Sequence, residues 1–257
     1  MIVSATNTDK CTPLHHRQSL VVSIASSEED IHQCLRLRHQ VFAEEMGAQL
    51  ESMRAGLDYD YFDGYARQLM VKDSRTDTVI ATTRLLSSRT AELAGAFYSE
   101  TEFDLHNIFA LNARLLEVGR TCVEESHRNS AALSLLWRGI VRIAMIDDVD
   151  YLIGCASIPL NQSFSYAHSI MRFLKEQHFA SDDLRVYPRH QLPLQGVQET
   201  TDVILPTLLK GYLRLGAKIC GDACYDDNFN VADVFILLQR ECLERRFSRH
   251  LDSKSVF

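Results

Sequence analysis

The sequence predicts a single α/β domain, a central mixed β-sheet flanked by helices. Three observations carry that expectation. Strand-like and helix-like segments alternate along the 257 residues in the order strand, helix, hairpin, strand, helix, strand, helix, helix, strand. The segments 115–123, 150–158 and 231–239 are nearly continuous in apolar and small residues, as strands covered on both faces are. No repeat or Pro/Gly/Ser-rich linker divides the chain, and 46% hydrophobic residues suffice for one packed core. The domain is therefore expected over 20–240, between a polar tail at 1–19 and a tail at 241–257 that is basic around Arg245-Arg-Phe-Ser-Arg249.

Leu20 to Ile24 alternates weakly and reads as a first strand. Ser26-Ser-Glu-Glu29 is a capping-box pattern, so a helix starts there, with Ile31, Cys34, Leu35, Leu37 and Val41 on its apolar side. The acidic, aromatic stretch Glu44 to Asp63 reads as an irregular excursion, with a solvated loop as the plainer alternative. Gln68–Lys72 and Thr78–Leu86 flank the turn formers Asp73-Ser-Arg-Thr-Asp77 and form a hairpin, in which regular alternation puts Arg84 on one face with Ile80, Thr82 and Leu86. Ala91 to Leu111 is less regular. After the strand 115–123, a helix from about Ala131 turns Leu133, Leu136, Trp137, Ile140 and Ala144 to the core and Ser134, Arg138 and Arg142 away from it, which makes Trp137 a core residue. Pro159 ends the strand at 150–158, Ser165–Phe179 is a helix, Pro206 opens another that Gly216 stops, and 231–239 is the last strand.

The totals exclude some functions. A net charge of −7 is the wrong sign for general nucleic-acid binding. Seven scattered cysteines, an odd number, suit reduced thiols rather than a disulfide framework. Cys220 and Cys224 lack the second pair or histidines that a zinc site needs, so no metal is expected. Met1 to Ser19 has no signal-peptide core, and Arg138 and Arg142 break the most apolar helix. The expectation is a cytoplasmic protein, with the basic tail as its one candidate for peripheral attachment to the inner membrane face.

Chemistry concentrates in Leu115-Leu-Glu-Val-Gly-Arg-Thr-Cys-Val123. In a regular strand Glu117 and Arg120 face opposite sides. A bulge at Gly119 re-phases the strand, gathers a carboxylate, a guanidinium and a backbone N–H around one cleft, and so meets the needs of acyl transfer for a base and an oxyanion donor. A buried, internally paired Glu–Arg couple is the structural alternative. Downstream, Arg128, Asn129 and Ser130 open a helix whose first turn offers N–H groups to an anion. Cys122 and Cys155 read as packing residues, and with no histidine partner evident they give no acyl-enzyme.

LRLRHQVFAEEMG at 35–47, GLDYDYFD at 56–63, ATTRLL at 81–86, LLEVGRTCV at 115–123, LLWRGI at 135–140 and the long block at 205–238 resemble, in order, the bacterial N-acyltransferases of the ornithine-lipid type. The resemblance implies a GCN5-related acetyltransferase (GNAT) fold, shared with N-acyl amino acid synthases and acyl-homoserine-lactone synthases. It further implies transfer of a long, 3-hydroxylated acyl group from acyl carrier protein to the α-amine of ornithine, with no tightly bound cofactor. By the same resemblance Glu117, Gly119 and Arg120 are catalytic, and Arg38, Phe42, Asp60, Asp63 and Arg84 bind substrate, with Asp60 or Asp63 available to the ornithine side chain. Arg128, Asn129, Ser130, Arg138 and Arg142 are the candidates for meeting the donor. The turn after the central strand, Arg128-Asn-Ser-Ala-Ala132, lacks the glycines that let a backbone approach a pyrophosphate, which favours a carrier protein over coenzyme A. Tyrosine, lysine or glycine acceptors, a lactone-forming synthase and a non-catalytic membrane-binding protein remain open.

Overall fold

A computed structural model describes residues 20–50, 52, 54–128, 130–160, 163–194, 203–243 and 245, and among them are ten strands and six α-helices. The tail at 1–19 and most of 241–257 lie outside the described residues. Strand β1 (Leu20–Ile24) leads into helix α1 (Glu28–His39), whose N-cap Ser27 accepts from the Asp30 N–H and whose last turn carries Arg36, Arg38 and His39, where cations suit the helix dipole. A wider-wound turn, Gln40–Glu45, extends it. Strands β2 (Arg67–Asp73) and β3 (Thr78–Ser87) form the expected hairpin.

The less regular stretch resolves into small pieces: α2 (Ser88–Ala94), a 3₁₀ turn at Tyr98–Thr101, β4 (Phe103–Asp104) and α3 (His106–Phe109). Strand β5 (Leu115–Val123), helix α4 (Ser130–Ile146) and strand β6 (Tyr151–Pro159) then make a β-α-β unit. Helix α5 (Phe164–Gln177), β7 (Tyr187–Pro188), α6 (Thr207–Arg214), β8 (Lys218–Ile219), β9 (Cys224–Asp226) and β10 (Val231–Gln239) complete the chain.

The main sheet runs β1-β2-β3-β5-β6-β10-β8, with β9 also on β10, and β4 pairs β7 in a small separate ladder. Its neighbours are antiparallel except β5 and β6. That parallel pair holds register only from Leu115↔Tyr151 to Glu117↔Ile153, after which the strands part. The fork is the feature that makes a cleft.

One face of the sheet is covered by α4, α5 and α6, in a core that contains Leu136, Trp137, Ile140, Ile170, Leu209 and Tyr212 against Leu69, Leu116, Leu152 and Ile236. Trp137 is 8% exposed and meets Tyr212 edge-on at 5.0 Å, the core role expected of it. Helix α4 can lie this close because position 139 is glycine: a Cβ there would sit 2.9 Å from methyls of Leu69 and Val22. The other face is covered by α1, in a small cluster with Cys34, Leu37 and Met70, and by the stretch 86–109, in a second core with Phe97, Phe103, Ile153 and Phe235.

Alternation in β3 departs from the expected pattern. Lys72 pairs Val79 and Val71 pairs Ala81, so Ile80 is an extra residue and packs in the helical-face core, across the sheet from Arg84. Among the described residues no helix is long and apolar enough to cross a membrane.

Candidate functional site

Where β5 and β6 diverge, a cleft of about 710 Å³ opens, well within the range of small-ligand sites. Its walls include Val41, Phe42 and Met46 from the end of α1 and the turn beyond it, Arg84 and Leu86 from β3, and residues 117–123 of β5. Cys155 to Ser157 of β6, Leu208 of α6, and Phe229 and Asp233 from the last hairpin complete the walls named here.

Glu117 lies at the last paired position before the fork and is 4% exposed. Its carboxylate accepts from the Tyr98 N–H at 2.9 Å, the Ser99 N–H at 2.7 Å and the Ser99 hydroxyl. The 3₁₀ turn at Tyr98–Thr101 is therefore docked by its N-terminal N–H groups onto this one side chain. Burial pushes the Glu117 carboxyl up, against the lowering effect of the Ser99 donors and Arg84.

The bulge sits one residue beyond the glycine. Arg84 pairs Gly119 and Thr82 pairs Cys122, so Arg120 and Thr121 together oppose Thr83. Arg120 takes a left-handed conformation, φ 51°, uncommon for any residue but glycine. The shift in phase brings Arg120 to the face that Glu117 occupies, and both line the cleft. Tertiary contacts hold Arg120 there: its guanidinium lies 5.1 Å over Tyr98 and 4.5 Å over Phe229, 3.3 Å from Asp60 and 3.5 Å from Asp58.

Arg38, Arg84, Arg120, Asp58, Asp60 and Asp63 form one cluster of three cations and three anions. Arg38 is completely buried and donates from Nε to Asp58 at 2.8 Å and by a fork to Asp63 at 2.6 and 3.0 Å. Arg84 donates to both oxygens of Asp60 at 2.6 Å. Asp60 and Asp63 also cap the turn Tyr61–Gly64, through the Phe62 and Asp60 N–H groups. Burial would raise the Asp60 carboxyl, yet Arg84, Arg120 and Arg38 hold it far below the usual carboxylate range. The end of the stretch, 58–63, is thus no solvated loop, with Asp58 3% exposed and the Asp63 side chain 2%, whereas residues 44–47 and 54–56 are exposed. Of this cluster, Arg84 and Arg120 line the cleft, while Arg38, Asp60 and Asp63 lie behind it.

Phe42 lines the cleft and meets Phe229 edge-on at 5.8 Å. On the donor side, Arg128 lines the cleft, donates to the Val123 carbonyl at 3.0 Å and pairs with the Glu45 carboxylate. Arg138 and Arg142 are half-buried on α4 and contribute nothing to the cleft lining. Asn129 and the Ser130 side chain fall outside the described residues.

Three acids that the sequence reading did not single out also line the cleft: Glu102, Asp226 and Asp233. One signal was present for Asp233, a charge inside the otherwise apolar run 231–239. Burial pushes its carboxyl up to about 7, helped by Asp226 and opposed by the Ser157 hydroxyl and Arg120. Cys155 is pushed well above an ordinary thiol by burial and by Glu102 and Asp233, which fits a packing role.

Residues 37–138 match the family model of an acetyltransferase (GNAT) domain. The chain is 35% identical over 247 residues to the L-ornithine N(alpha)-acyltransferase of Brucella abortus, covering 89% of this chain and 87% of that protein. With the enzyme of the same name from Agrobacterium fabrum it shares 32% over 246 residues, covering 89% and 84%. The fold also resembles that of an N-acyl amino acid synthase from uncultured soil microbes, with a TM-score of 0.55, 10% identity and coverage of 91% of this chain and 100% of that one. A CoA-dependent acyl-homoserine lactone synthase aligns with a TM-score of 0.54 and 14% identity, over 92% of each chain. At such identities these two bear on the fold alone. The forked sheet is that of a GNAT-type acyltransferase, and by identity over most of its length the chain belongs to the L-ornithine N(alpha)-acyltransferase family.

Proposed function

We propose that this protein transfers a long, 3-hydroxylated acyl group from the phosphopantetheine thioester of acyl carrier protein to the α-amine of ornithine, giving lyso-ornithine lipid. The names of four relatives support the acceptor. The observation that carries the chemistry is Glu117, a buried carboxylate with a raised pKa in the wall of the cleft where β5 and β6 part. It takes a proton from the α-ammonium, directly or through one water, and the free amine attacks the thioester carbonyl. A C–N bond forms, the C–S bond breaks, the nitrogen sheds its second proton to solvent, and the proton held by Glu117 leaves with the thiolate as the free thiol. The bulged backbone at Gly119–Thr121, in the same wall, is assigned to the developing oxyanion. Arg84 and Arg120 are assigned to the acceptor carboxylate, and Val41, Phe42, Met46 and Leu208 to the acyl chain. Arg128 is the cation placed to meet an acidic carrier.

The test pairs wild-type protein with Glu117→Gln, each given ornithine and a 3-hydroxyacyl group on carrier protein or on coenzyme A. Wild-type protein yields acyl-ornithine by mass spectrometry. The variant is slower by about a hundredfold or more at neutral pH, with partial recovery at high pH where more amine is free. Near-normal turnover by the variant removes Glu117 as base. Equal use of acyl-coenzyme A removes the carrier-protein donor, and no acylated ornithine ends the reading.

A further inference from the structure

Glu102, Asp226 and Asp233 bring carboxylate oxygens within 4.8 Å of one another on the cleft wall. They come from separate places in the chain: the residue after the 3₁₀ turn that docks on Glu117, the end of β9, and the third residue of β10. All three carboxylates have internal neighbours, the Cys155 thiol and the Tyr98 hydroxyl in the case of Glu102. The Ser157 hydroxyl donates to Asp233 at 2.7 Å, and the Phe229 N–H donates to Asp226 at 3.1 Å. Glu102 is 7% exposed, and its Oε2 is fully buried with no hydrogen-bond partner. A buried carboxylate oxygen left without a donor costs stability, typically by more than a neutral group does. None of the three acids has an ion pair with a lysine or arginine among the described residues, whereas Asp58, Asp60 and Asp63 are each matched to one. The wall therefore gathers three acids, of which burial and mutual repulsion push Glu102 and Asp233 toward the neutral form until a cation meets them, and an acceptor oxygen without its donor, beside a cavity large enough for an amino acid.

We propose that Glu102, Asp226 and Asp233 are the seat of the side-chain ammonium of a diamino-acid acceptor. A primary ammonium carries three N–H donors and one positive charge, which answers three carboxylates and the orphaned Glu102 oxygen. Arg120 lines the same cavity, its guanidinium stacked on Phe229, whose N–H caps Asp226. A zwitterion with a second ammonium then meets cations at its carboxylate end and anions at its side-chain end. The seat also relieves the loop acids of that task, since Asp60 and Asp63 are already bonded to Arg84 and Arg38. This inference rests on the ornithine acylation proposed above, and it names the residues that tell ornithine from a monoamino acid.

The experiment compares ornithine with 2-aminopentanoate, the same carbon chain without the terminal ammonium, in wild-type protein, Glu102→Gln and Asp226→Asn. Both kcat/KM for acyl transfer and calorimetric binding are measured. Wild-type protein is expected to prefer ornithine by about a hundredfold or more, because the wrong ligand leaves buried charges unpaired. Each variant is expected to narrow that ratio tenfold or more, mostly through KM, while 2-aminopentanoate is used as well as before. An equal loss on both acceptors in both variants assigns the cluster to scaffolding and overturns the inference, with acyl transfer to ornithine left standing. Loss of ornithine turnover on chelation, restored by magnesium, calcium or manganese, makes the cluster a metal site and overturns it too. If wild-type protein acylates no ornithine yet binds it more tightly than Glu102→Gln does, the proposed reaction falls and the seat stands. If it neither acylates nor binds ornithine, both fall.

Discussion

Asp233 is a carboxylate whose folded environment favours the proton. Its pKa rises to about 7, against about 3.9 for an unfolded aspartate. A raised folded pKa contributes stability that is fully present below about pH 4 and is lost as pH climbs through 7. Asp233→Asn keeps an oxygen for the Ser157 hydroxyl and removes the ionisation. We expect the variant to gain stability over wild-type protein at pH 8, on the order of 4 kcal/mol at most, and no such gain at pH 4. Urea unfolding at the two pH values measures it, and a pH-independent difference would refute the assignment. How far single residues were legible in the sequence depended on how much of their role was local. Glu117 and Arg120 stood out because charge is rare inside an apolar strand. Glu102 gave no signal, because it lies in a stretch with no period, and only the folding of 86–109 over the sheet brings it to β10. The bulge was expected at Gly119 and falls at Arg120–Thr121, where ion pairs and two aromatic faces hold Arg120 in a left-handed conformation.

At the scale of elements, the long strands and helices were legible because each buries a face and therefore carries a period. The short pieces were not: β4, β7, β8 and β9 span two or three residues each, too few to show alternation. The register shift at Ile80 was equally hidden, since an extra residue leaves composition unchanged. The fork between β5 and β6 has a sequence mark that reads only in retrospect. Gly154 follows the last paired residue of β6, and a Cβ there would fall 2.3 Å from the Val118 carbonyl oxygen. Any side chain at 154 must push β6 off β5 just where the cleft begins. Gly154→Ala is expected to lower stability by about 3 kcal/mol, and to reduce acyl transfer further than the unfolded fraction explains, because the wall carrying Glu117 moves. Denaturant unfolding and kcat measured on the same preparation test this. A stable, fully active variant would show that the close approach is dispensable.

The whole molecule is two half-sheets, β1-β2-β3-β5 and β6-β10-β8 with β9, joined by three residue pairs. Helix α4 packs on β1, β2 and β3, so it belongs with the first half-sheet, while the stretch 86–109 before it spans both halves. Between α4 and β6 the polypeptide passes from one half-sheet to the other through the turn at the half-buried Asp147 and the exposed Asp148. Around that passage Arg114 of the first half pairs with Asp148 and Asp150 of the second, and the second core takes Phe97 and Phe103 from one side and Ile153 and Phe235 from the other. Chain continuity at the turn therefore holds together what the two surfaces already recognise. Fragments 1–147 and 148–257, co-expressed, are expected to dock and recover acyl transfer, while neither works alone, because Glu117 and Asp233 reside on different pieces. Activity that rises with the concentration of the second fragment is the readout, and none at any ratio would contradict it. The cleft would then serve as a reporter of assembly, a reaction switched on when two polypeptides meet.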